Sequence, residues 1–225
     1  LEIIKKEKKK IKFYQASTSE MFGGSPPPQN EKTPFHPKSP YGAAKLFGYW
    51  ITKIYRESYN IHASNGILFN HESPLRGETF VTKKIVNSVA KNFIGQKNQL
   101  ILGNLDATRD WGHAKDYVNS MWLILQKKLP DDYVICTEKS YSVREFVEAA
   151  YKTIGIKIKW QGDGLHEKGI NRKNNNILVK VSSKYFRPNE VENLRGDSTK
   201  AKKMLKWDNT ISFKELVKEM MLYEI

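Results

Sequence analysis

The chain has 225 residues, 39% of them hydrophobic and 12% aromatic, and a formal net charge of +14. That is enough apolar material for one sizeable core or one and a half modest domains, and it excludes a disordered chain. No apolar run approaches the roughly 18 residues of a membrane span, and Cys136 is the only cysteine, so a disulfide framework is excluded and a cytoplasmic setting is expected.

In chain order, residues 1–10 read as the end of a helix and Ile11–Gln15 as a strand. A polar, proline-rich loop follows to Pro40. From Tyr41 to Tyr59, Ala44, Phe47, Ile51, Ile54 and Tyr55 recur at helical spacing. "IHASNGILFN" reads as a buried strand, "FVTKKIVNSVAKNFI" as a helix, "QLILG" as a strand, "AKDYVNSMWLILQ" as a helix and "DYVICT" as a strand. Ser142 with Glu145, and Ser212 with Glu215, form capping boxes that open helices over 143–154 and 213–223. Strands alternating with helices predict an α/β fold on a parallel sheet. No G-x-G-x-x-G turn follows any strand, so the chain reads as starting in the middle of a doubly wound nucleotide-binding sheet.

The positive charge is mostly lysine, scattered along the whole chain, while arginine, the better bidentate phosphate ligand, is scarce. This pattern argues against a nucleic-acid surface and reads mostly as compositional bias, with an acidic small-molecule ligand as a secondary cause.

Two motifs carry chemistry. The first strand ends in "STSE": Ser17 with Glu20 fits a capping box, yet two glycines and three prolines follow instead of an apolar helix. The second motif is "YGAAK", which places Tyr41 and Lys45 on one face of a helix. An ammonium beside a phenol stabilises the phenolate, so tyrosine can act as a base. In so lysine-rich a chain roughly one or two Tyr-x-x-x-Lys matches arise by chance. Tyr49 and Lys53 form a second one. Only the first opens a helix between "STSE" and "FNHESP".

With "TPFHPKSPYGAAK", "NGILFNHESP", "FVTKKI", "GNLDATRDWGHAKDYV", "SVREFVE" and "YFRPNEVENLRGD", these motifs resemble the extended short-chain dehydrogenase/reductases. Within them the chain is most similar to the GDP-mannose 4,6-dehydratases. The resemblance implies a partial doubly wound, Rossmann-type parallel sheet with a smaller C-terminal substrate-binding α/β domain. Residues 1–138 would hold the remaining cofactor domain, with a substrate-binding insert around 74–110, and residues 139–225 mainly the substrate domain. It also implies NADP as cofactor, GDP-mannose as substrate, a homo-oligomer (dimer or tetramer) and a place in GDP-fucose synthesis.

The implied reaction oxidises C4 of the mannose, removes water across C5–C6 and returns the hydride to C6. Tyr41 would take the C4 hydroxyl proton, Thr18 would hydrogen-bond that oxygen, and Lys45 would tune Tyr41 and hold the nicotinamide ribose. Glu20 would remove the C5 proton and protonate the leaving C6 hydroxyl. His71 and Arg76 resemble cofactor contacts. Asn70, Lys84, Arg109 and Arg187 resemble contacts to sugar and diphosphate, and Glu190 a ribose acceptor. Each has a plainer structural reading. His71 could be a satisfied core histidine, Lys84 a solvated helix lysine, Asp110 beside Arg109 a helix cap, and Arg187–Glu190 an internal ion pair.

Three departures accompany the match. Leu75-Arg76 stands where the family has two arginines. The loop from Glu20 to Tyr41 is about one residue short. The Gly-rich first strand–helix turn would lie before Leu1, so the isolated chain is expected to lack dehydratase activity and a tight NADP site. The competing reading is a non-catalytic remnant that binds GDP-sugars at most.

Overall fold

The computed structural model describes residues 1–7, 10–186 and 193–225. Its helices are α1 (Glu2–Glu7), α2 (Pro40–Tyr59), α3 (Val81–Phe93), α4 (Ala114–Gln126), α5 (Val143–Thr153), α6 (Thr199–Leu205) and α7 (Phe213–Glu224). Among its strands are β1 (Phe13–Thr18), β2 (Ala63–Leu68), β3 (Leu100–Leu102), β4 (Thr108–Arg109), β5 (Asp132–Ile135), β6 (Tyr141–Ser142), β7 (Ile158–Gln161), β8 (Lys168–Asn171) and β9 (Ile177–Val181). The chain divides into two compact units. The first is 1–71, 110–140 and 193–210; the second is 72–109, 141–192 and 211–225.

The first unit is built on a parallel sheet ordered β1-β2-β5, in register from Phe13↔Ala63 and from Asn65↔Asp132. Alternation along these strands separates two faces. One carries Tyr14, Leu68, Tyr133 and Ile135, which join Tyr117 and Ile124 of α4, Ala201 and Leu205 of α6, and Trp207 in one apolar cluster. The other face presents Asn65 and Asp132, and α2 lies on it.

That contact is polar. Asp132 accepts two bonds from the Arg56 guanidinium at 2.7 and 2.8 Å, one from Tyr49 at 3.1 Å and one from Asn65 Nδ2 at 2.8 Å, all at buried or nearly buried positions. A buried pair so fully bonded fixes how a helix sits more than it adds net stability. The buried stripe of α2 is therefore Gly42, Tyr49 and Thr52. Of the apolar residues whose spacing predicts the helix, Ala44, Phe47 and Ile54 are exposed and Ile51 and Tyr55 only half-buried. The period identifies the helix correctly, but the side it marks is not the side that meets the sheet.

The second unit has a mixed four-stranded sheet ordered β3-β9-β8-β7, with β9 parallel to β3 and the other pairs antiparallel. Helices α3, α5 and α7 pack together beside it. Both expected capping boxes form, Ser142 with Glu145 and Ser212 with Glu215, and open α5 and α7. Phe213 stacks on Tyr141 at 3.9 Å and meets Phe146 edge-on at 5.7 Å, which ties the two helix starts together.

Candidate functional site

The end of β1 is not a capping box. Ser17 is buried and donates to Asn65 Oδ1 at 3.2 Å, so it belongs to the sheet. Thr18 caps instead, its Oγ1 accepting from the Glu20 N–H at 3.3 Å over a single 3-10 turn, Ser19–Met21. No α-helix follows, because Gly23 takes φ +49° with the His36 carbonyl so close that no side chain fits there. Thr18 and Glu20 are thus left half-buried at the lip of the sheet.

Helix α2 starts beside them. Ser39 caps it, accepting from the Gly42 N–H at 3.0 Å, and Pro40 occupies the first turn. Gly42 lies against the Glu20 carbonyl, where a Cβ would come within 2.7 Å of that oxygen. The absent side chain lets the helix start touch the turn, which brings Tyr41 next to Glu20. Lys45, one turn on, donates to the Ala16 carbonyl of β1 at 2.9 Å and sits 5.7 Å from the Tyr41 ring centroid. Strand end and helix start are stitched by the same lysine that faces the phenol.

The two Tyr-x-x-x-Lys matches separate here. Tyr41 is 55% exposed and Tyr49 only 5%. Tyr49 gives its hydroxyl to Asp132, and burial together with that carboxylate pushes its phenol far above the usual tyrosine range. Lys53 points to Glu57 and Trp50. Tyr49 is a structural residue.

Further along the first unit, His71 stacks on Tyr117 at 4.7 Å, and its Nδ1 donates to the Phe69 carbonyl at 2.9 Å. Asn70 Oδ1 is buried without a hydrogen-bond partner. Asp110 is not a helix cap. His113 caps α4, its Nδ1 accepting from the Lys115 N–H at 3.0 Å. Asp110 is fully buried and accepts from the Thr137 N–H and hydroxyl, both at 2.8 Å, and from the Glu138 N–H at 2.9 Å.

In the second unit Arg76 pairs with Glu72 at 3.0 Å and lies 3.5 Å over the Phe80 ring. Lys84 is no freely solvated lysine, since it donates to the Ile101 carbonyl at 2.6 Å and stands 3.7 Å over Tyr185. Arg109, on β4, donates to the Thr108 carbonyl at 2.8 Å. Arg187 and Glu190 lie outside the described residues. Sequence reasoning missed Gly42 and Glu72. A glycine directly after the tyrosine of a helix start was the available signal for the first, and nothing local marks the second.

Two of these carboxyls titrate unusually. Burial raises Glu72, in the second unit, to about 6 against the pull of Arg76 and Thr82, and raises Asp110, in the first, to about 6 despite its hydrogen bonds. A raised folded pKa adds stability below the unfolded value, and that stability is lost as pH climbs through 6. Each group is worth on the order of 2 kcal/mol. The carboxylates held low, Asp132, Asp197 and Glu138 among them, act in the opposite sense, but only below their ordinary values. Thermal melts should therefore show the melting temperature falling between pH 5 and pH 7, and Glu72→Gln should flatten the slope. A midpoint that rises over that interval would contradict the assignment.

The geometry can now be set beside known proteins. The family model described as GDP-mannose 4,6 dehydratase matches residues 1–220. The chain is 54% identical over 218 residues to GDP-mannose 4,6 dehydratase of Drosophila melanogaster, covering 96% of this chain and 55% of that protein. It is 56% identical over 211 residues to the enzyme of that name from Homo sapiens, covering 93% of this chain and 57% of that protein. It thus spans little more than half the length of these relatives. Among solved structures, dTDP-glucose 4,6-dehydratase from Bacillus anthracis in complex with NAD superposes with a TM-score of 0.79 at 21% identity, over 99% of this chain and 64% of that one. RMD from Pseudomonas aeruginosa complexed with NADPH gives 0.78 at 17% identity, over 95% and 66%. These two establish the fold alone. A strand end carrying Thr18 and Glu20 against a helix start carrying Tyr41 and Lys45, joined to a family match across almost the whole sequence, leads to one statement: the chain belongs to the GDP-mannose 4,6-dehydratase family.

Proposed function

We propose that this chain carries the acid–base groups of a GDP-mannose 4,6-dehydratase, which converts GDP-mannose to GDP-4-dehydro-6-deoxy-mannose with NADP as cofactor, in the cytoplasmic synthesis of GDP-fucose. The observation that carries this reading is the contact of Gly42 with the Glu20 carbonyl, because it sets the start of α2, which carries the exposed Tyr41, against the Thr18–Glu20 turn.

The side chains present suit a nicotinamide cofactor. Tyr41 is open to a ligand, and the Lys45 ammonium keeps donors beyond the one given to Ala16. Lys45 and His71 would hold the nicotinamide end, and Arg76 would contribute after release from Glu72. The chemistry a bound NADP supplies is acceptance of a hydride from C4 and its return to C6. Tyr41, with Lys45 alongside, takes the proton from the C4 hydroxyl. Thr18 Oγ1 holds that oxygen in line. Once C4 is a ketone, the C5 proton is acidic. Glu20 removes it and passes it to the departing C6 hydroxyl as water leaves, and the proton taken up from the C4 hydroxyl balances the one C5 must regain when hydride reaches C6. Half-burial leaves Glu20 partly shielded and partly open to a ligand.

On the substrate side, Asn70, Lys84, Arg109, Arg187 and Glu190 are the proposed contacts to sugar, diphosphate and ribose. Guanidinium forks suit a diphosphate better than point charges do. The apolar residues left open on α2, Phe47, Trp50, Ile54 and Tyr59, suit a second copy of the chain, in keeping with a homo-oligomer. Calorimetry on the protein that carries this chain tests the site. GDP and GDP-mannose should bind far better than mannose 1-phosphate, and the affinity should fall with added salt. Equal or absent binding of GDP by folded protein would sink the assignment.

A further inference from the structure

The chain passes between its two units at five places, after residues 71, 109, 140, 192 and 210. Inside the first unit a single side chain gathers three of the five ends. Asp110 is the first residue after one crossing. Its carboxylate accepts from Thr137 and Glu138, just before the next crossing, and from the backbone of Gly196, just after a third. A fourth end is held from the first turn of α4, where Asp116 accepts from the Thr210 N–H at 2.9 Å and its hydroxyl at 2.6 Å.

The knot around Asp110 is built at a cost. Glu138 sits at φ +65°, a left-handed backbone that a non-glycine residue keeps only when its surroundings impose it. Its N–H is tied to Asp110, while its own carboxylate accepts from the Ser198 N–H at 3.0 Å, the Ser198 hydroxyl at 2.9 Å and Lys202 at 2.7 Å. Gly196 packs so tightly on Cys136 that a Cβ there would lie 2.5 Å from the sulfur. All four donors to Asp110 are uncharged, so the buried carboxylate is held by geometry rather than by a counter-ion.

We infer that Asp110 is a positioning residue: by binding the ends at Thr137–Glu138 and Gly196 it fixes the backbone on which Arg109, the adjoining residue, is presented to a nucleoside diphosphate. The inference rests on the proposed role of Arg109 as a diphosphate ligand. Consecutive Cα atoms are about 3.8 Å apart, so freedom at residue 110 is felt directly at residue 109. A guanidinium that must fork onto phosphate loses affinity when its backbone has to be ordered on binding.

The test uses Asp110→Asn, Thr137→Val and Thr137→Ser in the protein that carries this chain. Asparagine turns one acceptor oxygen into a donor facing N–H groups, valine removes a single donor, and serine keeps the hydroxyl. Hydrogen exchange, followed well below the melting temperature, should show the Thr137, Glu138 and Gly196 amides accelerating together in Asp110→Asn, with the β1–β2 amides unchanged. Calorimetry with GDP should show affinity falling about tenfold in Asp110→Asn, about threefold in Thr137→Val, and recovering in Thr137→Ser. Amides that accelerate while GDP affinity stays at the parental value would make Asp110 a stabilising residue only and overturn the inference. Unchanged amides in a folded Asp110→Asn protein would overturn the knot itself. A parent that binds no GDP would instead remove the functional reading beneath it. If Asp110→Asn does not fold, the valine and serine pair decides the matter, since equal GDP affinities in the two would refute the positioning role.

Discussion

Glu20→Gln, in the protein that carries this chain, should leave oxidation at C4 within a few-fold of the parent and slow water loss by about 10² to 10⁴. Glutamine keeps the shape and the backbone N–H that donates to Thr18, so the turn survives the change. What is lost is a group that can take a proton from C5 and return one to the C6 oxygen, a duty an amide cannot perform near neutral pH. In single-turnover mixing with GDP-mannose, reduced-cofactor absorbance should rise and then persist rather than decay. Deuterium at C5 should be retained in recovered substrate. Overall turnover within a few-fold of the parent would reduce Glu20 to a turn residue.

The second large effect separates the two tyrosines. Tyr41→Phe should abolish the first oxidation, so that no transient reduced-cofactor signal develops, while the melting temperature changes little for a residue already 55% exposed. Tyr49→Phe should do the reverse. It removes one bond to a charged acceptor at the α2–sheet contact and should cost about 1 to 2 kcal/mol of stability, with Arg56 and Asn65 still holding Asp132. Its turnover should stay within a few-fold of the parent. Melting curves and single-turnover traces on the two variants decide the matter. A Tyr49→Phe protein that is stable but inactive would reverse the assignment.

Context picks out the first pair, but spacing alone could not make that choice. Tyr41-Lys45 and Tyr49-Lys53 share the same spacing, and both fall on α2. What differs is where the helix touches the sheet, and that depends on Asp132, more than 70 residues away in the chain and paired with Arg56. Helical periodicity pointed to the stripe of Phe47, Ile51 and Ile54, but a polar row won the buried side. A contact satisfied by hydrogen bonds leaves no apolar period to read.

The second unit shows the same limit. Strands β7, β8 and β9 carried no usable signal, and neither, in the first unit, did helix α6. Lysines and asparagines fill the positions open or half-open to water, as in the exposed Lys159 and Lys168 and the half-buried Lys180, and leave runs too short and too polar to stand out. Lys168 and Lys180 directly face each other across β8 and β9, a pairing that local preference disfavours and only the whole sheet sustains.

The sequence by itself determined the helices with strong caps, the parallel character of the first sheet and the two chemical motifs. Those signals are local: a capping serine three residues before glutamate, an alternation within six residues, a tyrosine and lysine one turn apart. Only the tertiary structure decided that Ser17 belongs to the sheet, that Thr18 caps Glu20, and that Asp110 is a buried knot rather than a helix cap. Each of those outcomes turns on a partner far along the chain: Asn65 for Ser17, His36 for the turn after Glu20, Thr137 and Gly196 for Asp110. A side chain's role follows from what it meets, and for these residues the meeting is made by the fold.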